Sequence, residues 1–232
     1  MKFYFIRHWR TKFNLTGTMV KNYDDADIIE DYPTEWEEKV GKFIPNRDYI
    51  LTSPVKRCIQ TCNLLFKKDP TGTLKDFGEF DCSGIGKRKF WEMTEKQFEK
   101  YVPLTAQDME TRAHAIFQVL PNYLEMEKIT DCVVVSHGML IRYLYHYLTG
   151  NKEITPFKVI NSEGFTFSNL DLLVYDTTTK EIEVHRYEEP TEFVFDDFEV
   201  EDSCEDKCKK KNYSDYTRNM CIKNNCGDNV DF

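Results

Sequence analysis

The sequence has no long apolar run. Its first residues, MKFYFI, are interrupted by Arg7 and His8 before they reach the length of a signal-peptide core, and no later stretch approaches what a bilayer-spanning helix needs. The expectation is a cytoplasmic protein with no membrane partner. A basic excess is also missing. Lys and Arg number 31 against 40 Asp and Glu, a net charge of −9. That balance excludes a general nucleic-acid binder, whose affinity comes from neutralising phosphates, but a single pocket for a small anion is compatible with it. Paired C-x2-C knuckles are absent among the eight cysteines. Cys58, Cys62, Cys82 and Cys132 stand singly, and a reducing compartment would keep them as thiols. Cys204, Cys208, Cys221 and Cys226 cluster near the C-terminus with spacing C-x3-C, twelve residues, then C-x4-C. Four thiolates can hold zinc, yet the surrounding residues offer little to fold around, so free thiols and no metal are expected.

What the chain does have is alternation. KFYFI reads as a buried strand, DYILTS as a second and DCVVVSH as a third. SPVKRCIQTCNLLFKK reads as a helix, with Ser53 as N-cap, Pro54 at its first position and an apolar stripe through Val55, Cys58, Ile59, Cys62, Leu65 and Phe66. Thr105 and Asp108 form a capping-box pattern opening a helix over 105–127, which Pro121 should kink or break. GMLIRYLYHYLTG reads as a helix terminated by Gly150, and FTFSNLDLLVYD and EIEVHRYE as two late strands pairing in a hairpin. This pattern predicts an α/β fold, a three-layer α/β/α sandwich around a mostly parallel sheet. Near residue 190 the composition turns polar and acidic. The expected organisation is a domain over 1–190 and a Cys-containing tail over 191–232, flexible in part.

Ligands of parallel sheets bind beyond the carboxyl ends of the strands. Three polar clusters fall at such ends: Arg7-His8, Ser53 to Arg57, and Ser136-His137-Gly138. Two guanidinium forks and two imidazoles on one rim suit a phosphate dianion. Helix N-termini after Ser53 and Gly138 would add N–H donors, and histidine can attack phosphorus covalently. His114, His146 and His185 lie within predicted helices or a late strand, where structural roles are expected.

FIRHWRTKFN resembles the Arg-His-Gly-x-Thr signature of the histidine phosphatase superfamily, the phosphoglycerate mutase-like enzymes. TSPVKRCIQT resembles its Ser-Pro-x-x-Arg-x-x-x-Thr segment, and VVVSHGMLIR its Ser-His-Gly segment, all in the family's order. The resemblance implies a phosphoglycerate mutase-like fold, with His8 as the phosphorylated nucleophile and Arg7, Arg57 and His137 on the phosphoryl oxygens. Thr11, Asn14 and Gly138 match positions lining the phosphate pocket. The family's acid maps to LKDFGEFDCSGIGKRKFW. Glu79 fits best, followed by a loop and Trp91, with Asp76 as rival and Asp81 also nearby. Lys87, Arg88 and Lys89 in that loop are either a solvated run or a contact for a second anionic group. Trp9 stands where the family has Gly. It is expected to point away from the phosphate, leave His8 functional and form part of the substrate wall.

The function expected is hydrolysis of a phosphate monoester through phosphohistidine, on a small phosphorylated substrate. No cofactor is expected, because the arginines supply the positive charge. A phosphoglycerate mutase-type phosphotransferase is one alternative, disfavoured because only 57 residues separate Glu79 from His137. A catalytically inactive relative that binds phospho-ligands or a protein is the other.

Overall fold

A computed structural model describes residues 1–12, 14, 26–30, 34–85, 92–151 and 153–187. Trp91, the run Lys87, Arg88 and Lys89, and the expected tail with Cys204, Cys208, Cys221 and Cys226 lie outside the described residues.

Among the described residues six strands form one sheet: β1 (Lys2–Arg7), β2 (Ile50–Thr52), β3 (Gly72–Thr73), β4 (Asp131–Ser136), β5 (Leu172–Asp176) and β6 (Ile182–His185). Their order is β3-β2-β4-β1-β5-β6. The β1, β2, β3 and β4 strands pair in parallel, whereas β5 runs antiparallel to β1 and closes the sheet as a hairpin with β6. Strand alternation divides the core into two layers. Phe3 and Phe5 join Cys132, Val134, Leu173 and Leu51 on one face, under helices that contribute Phe98, Met109, Phe117 and Leu144. Tyr4 and Ile6 join Val133, Val135, Ile50 and Val174 on the other, under Trp36, Val40, Cys58 and Leu65. The result is the expected three-layer α/β/α sandwich.

Register brings the carboxyl ends together. Arg7 stands opposite Ser136, and Thr52 opposite Val135. The ladders run one step further, with His8 N bonded to Ser136 O at 2.9 Å and Ser53 N to Val135 O at 3.0 Å. The three clusters therefore leave adjacent strands at one level.

Several local expectations are corrected. The second-cluster helix is α2 (Lys56–Phe66), not one capped by Ser53 with Pro54 in its first turn; α1 (Thr34–Phe43) precedes it. Val55 occupies the N-cap, where its apolar side chain can make no cap bond; the Ser53 hydroxyl accepts from Val55 N at 3.4 Å and is also engaged by His137 at 2.8 Å. Helix α3 (Glu95–Tyr101) follows, and the capping box of Thr105 and Asp108 opens α4 (Ala106–His114). Pro121 neither stops the chain nor leaves an ordinary turn. A π turn over Ala115–Val119 inserts first, with Leu120 N bonded to Ala115 O, and α5 (Leu120–Met126) continues. The wider turn accommodates a ring that would otherwise press on the carbonyl four residues back. Helices α6 (Gly138–Leu148) and α7 (Pro156–Ile160) complete the unit. The stretch FTFSNLD is not strand. Leu170 has φ of +63°, and this loop turns inward to bond Arg7 and His8. The helices Thr34–Phe43, Glu95–Tyr101 and Pro156–Ile160 carry few buried residues each, which hid them in the sequence. Among the described residues no helix is long and apolar enough to cross a membrane.

Candidate active site

His8 follows β1 and is 1% exposed. Its Nδ1 lies 2.6 Å from Trp9 O. A carbonyl only accepts, so Nδ1 carries the proton and Nε2 presents a lone pair. That lone pair accepts Arg57 Nε–H at 3.2 Å. Arg57 Nη2 reaches His137 Nδ1 at 3.0 Å. Because guanidinium only donates, His137 Nδ1 is the acceptor and its Nε2–H donates to Ser53 Oγ at 2.8 Å. Arg57 is thus a fully buried fork joining two imidazoles, whose ring centroids are 5.2 Å apart. Arg7 Nη1 donates to Phe167 O at 2.6 Å. A Cβ on Gly138 would lie 2.9 Å from Arg7 Nε, so Gly138 is needed for the approach of this guanidinium rather than for a turn.

Both imidazoles are held neutral. Burial depresses the pKa of His8 well below the usual value, followed by the charges of Arg57 and Arg7, against a smaller upward pull from the Trp9 carbonyl. His137 is lowered the same way, first by burial and then by Arg57, His8, Arg7 and Arg112. A neutral His8 whose Nε2 lone pair is held by the Arg57 Nε–H can act as a nucleophile once a ligand oxygen takes that donor, and the surrounding positive potential suits a dianion.

These shifts carry a stability consequence. Above the ordinary histidine pKa of about 6.5 neither state is protonated there. Below it the unfolded chain takes up protons that folded His8 and His137 refuse, so stability falls as pH drops and keeps falling towards the depressed folded values. Each group contributes up to about 1.4 kcal/mol per pH unit. In phosphate-free buffer the urea midpoint is expected to fall steadily from pH 7 to pH 5. A double variant His8→Asn, His137→Asn should show a flatter profile; equal slopes would contradict the assignment.

Glu79 sits against the N-terminus of α6. Its Oε2 accepts from Met139 N and its Oε1 from Leu140 N, both at 3.2 Å, and Oε1 also accepts from Phe80 N at 3.2 Å. This corrects one expectation: these N–H groups of the Gly138 helix are committed to the carboxyl group of Glu79. Asp76 is exposed in a 3-10 turn over Lys75–Phe77, and Asp81 is exposed beyond Glu79. Thr11 and Asn14 bond chiefly to each other: Thr11 N and Oγ1 donate to Asn14 Oδ1 at 2.9 and 3.1 Å.

Trp9 is 4% exposed. It belongs to the apolar layer of Ile6, Trp36 and Tyr187 and meets Tyr187 edge-on at 6.0 Å. Such burial leaves the ring little surface to offer as a substrate wall. Its backbone contributes instead, through the carbonyl on His8 and through Trp9 N, which donates to Thr61 Oγ1 at 2.9 Å. Thr61 in turn donates to Arg57 O at 2.7 Å, so one hydroxyl ties both site segments together.

Sequence reading missed Asn169, whose Nδ2 donates to His8 O at 2.8 Å. It lies 161 residues away in a loop, and an asparagine in a loop carries no local signal for such a contact. Arg112 and Arg142 were missed as well. Arg142 is half-buried on α6, donates to Ser162 Oγ, and is pushed down to about 10 by desolvation and then by Arg7, with Glu79 opposing. His114 is exposed on α4, and the other two histidines have partners elsewhere. His185 stacks on Phe43 at 3.9 Å, and His146 contacts Asn151 at 3.2 Å. Cys58 Sγ is 3.5 Å from His137 Nε2, yet burial pushes the thiols of Cys58, Cys62 and Cys82 up to about 12, which removes them as nucleophiles near neutral pH.

Residues 3–190 match the family described as Histidine phosphatase superfamily (branch 1). Among solved structures, phosphoserine phosphatase from Entamoeba histolytica, in complex with phosphoserine, superposes with a TM-score of 0.59 at 18% identity, covering 80% of this chain and 95% of that one. Phosphoglycerate mutase from Bacillus anthracis gives 0.55 at 18% identity, over 81% and 92% of the two chains. A putative alpha-ribazole-5'-P phosphatase from Escherichia coli gives 0.54 at 14% identity, over 82% and 97%. At these identities the likeness is one of fold. No curated protein matches the sequence.

Proposed function

We propose, from the premise that this chain belongs to the histidine phosphatase superfamily, that it is a metal-independent phosphatase hydrolysing a small phosphate monoester through phosphohistidine. The observation that carries this reading is the state of His8: buried, neutral, protonated on Nδ1, with its Nε2 lone pair aimed at Arg57 Nε. A phosphoryl group enters where Arg57 Nε–H and the lone pair meet, and its oxygens take the N–H groups of Arg57 and Arg7. His8 Nε2 attacks phosphorus and the ester P–O bond breaks. The Nδ1–H bond to Trp9 O stabilises the charge that grows on the ring. Glu79 delivers its proton to the departing alkoxide. Water then attacks phosphorus, Glu79 takes the water's proton, the P–N bond breaks, and phosphate leaves with His8 neutral again. Arg7 and Arg57 carry the electrostatic work of stabilising the equatorial oxygens.

The acid assignment separates by leaving group. Alkoxides need a proton from the enzyme, whereas nitrophenolates leave without one. Glu79→Gln is expected to lower kcat/KM for a primary alkyl phosphate about 100-fold or more, with a much smaller loss for 4-nitrophenyl phosphate. The same separation in Asp76→Asn, with Glu79→Gln unaffected, would move the role to Asp76. Activity appearing only as transfer between the hydroxyls of phosphoglycerate, dependent on a bisphosphate primer, would identify a mutase instead.

A further inference from the structure

We infer that Arg112 is a positioning residue that holds the acid segment around Glu79 in register with His137. This inference rests on the assignment of Glu79 as the acid. Residues 78–82 lie between two 3-10 turns, Lys75–Phe77 and Ser83–Ile85, and belong to no strand or helix. Such a stretch needs outside contacts to keep a carboxyl group aimed. Arg112 supplies one on each side of Glu79. Its Nη1 donates to Gly78 O at 2.8 Å, and its guanidinium carbon lies 4.6 Å from the centroid of the Phe80 ring. The carboxyl between them is anchored to Met139 N and Leu140 N, the first turn after His137.

Arg112 is itself well fixed. It projects from α4, whose first turn is locked by the reciprocal cap of Thr105 and Asp108, while Met109 and Ala113 bury the neighbouring face in the core. Its charge is felt at both ends of the site. Burial lowers the pKa of Arg112, opposed by Glu79 first and then by Asp76 and Asp108, and the same charge acts on His137. A cation recognising a second anionic group of the substrate would also sit near the site. The two engagements with Gly78 and Phe80 favour the positioning role, since one nitrogen and one face of the guanidinium are already committed to this segment.

The test compares kcat/KM for a primary alkyl phosphate and for 4-nitrophenyl phosphate in Arg112→Met, Arg112→Lys, Glu79→Gln and the double variant Glu79→Gln, Arg112→Met. Arg112→Met is expected to lose about 10-fold or more on the alkyl ester relative to the aryl ester, the same separation as Glu79→Gln though smaller. The double variant should lose no more on the alkyl ester than Glu79→Gln alone, because both act through one group. Arg112→Lys should restore little, since a point charge cannot bond Gly78 O and cover Phe80 together. Equal losses on both esters would reduce Arg112 to general structural support and overturn the inference. So would a rise in KM confined to esters bearing a second anionic group, which marks substrate recognition. If Glu79→Gln separates the esters and Arg112→Met does not, the inference fails while the acid assignment stands. If Glu79→Gln shows no separation, the acid assignment fails and takes the inference with it.

Discussion

Arg57→Lys is expected to lower kcat/KM by about 10³-fold, nearly as far as Arg57→Ala. Conserving the charge does not conserve the geometry. Arg57 is fully buried and uses two different nitrogens on two different rings, Nε on His8 and Nη2 on His137. A lysine ammonium on a single stem cannot occupy both positions, and its tighter hydration makes burial costlier. Both imidazoles would lose their orienting donor, and the phosphoryl oxygens would lose a bidentate partner. Affinity for inorganic phosphate, measured by calorimetry, should weaken along with turnover. Full retention of activity in Arg57→Lys would mean that charge alone suffices, and the fork geometry would have no catalytic part.

His8→Ala is expected to abolish turnover by about 10⁴-fold or more, as loss of a covalent nucleophile does. The accompanying expectation separates chemistry from binding. Arg7, Arg57 and His137 remain in this variant, and none of them depends on the His8 side chain alone for its place. Arg7 is held by Phe167 O and packed against Gly138, and His137 by Ser53. Inorganic phosphate should therefore still bind, within about tenfold of the unaltered protein. If turnover and phosphate binding vanish together, His8 organises the pocket rather than attacking phosphorus.

The strand ends were the legible part of this site. Apolar runs closing on Arg7-His8, Ser53 and Ser136-His137 announce a parallel sheet with a polar rim, because strand burial and rim chemistry are both written locally. Arg57 and Glu79 were readable through motif spacing, although spacing alone did not separate Glu79 from Asp76. Their surroundings differ, since Glu79 meets the α6 N-terminus and Asp76 faces solvent, and the comparison of Glu79→Gln with Asp76→Asn decides which one is the acid. Asn169 and Arg112 act through backbone atoms of residues distant in the chain, and hydrogen bonds to backbone leave no trace in residue type; Thr61 closes the TSPVKRCIQT segment, yet its bond from Trp9 N is equally unmarked in the sequence. The 165–171 stretch misled for a related reason. Its aromatic and apolar content reads as strand, yet its backbone is spent on Arg7, with Leu170 N donating to Arg7 O at 3.0 Å. Trp9 was legible as an oddity and illegible as a solution. Its ring finds a place only because Trp36 and Tyr187 line the same layer, and its functional atoms are its carbonyl and N–H, which any residue supplies.

The central claim is that His8 Nε2 bonds to phosphorus during turnover. A brief pulse of a radiolabelled phosphate monoester, quenched in alkali and followed by peptide mapping, tests it directly. One label is expected on the peptide carrying His8, stable to alkali and lost in acid, and absent from His8→Ala. Turnover that leaves no label on His8, or label carried by another residue and retained in His8→Ala, would contradict it.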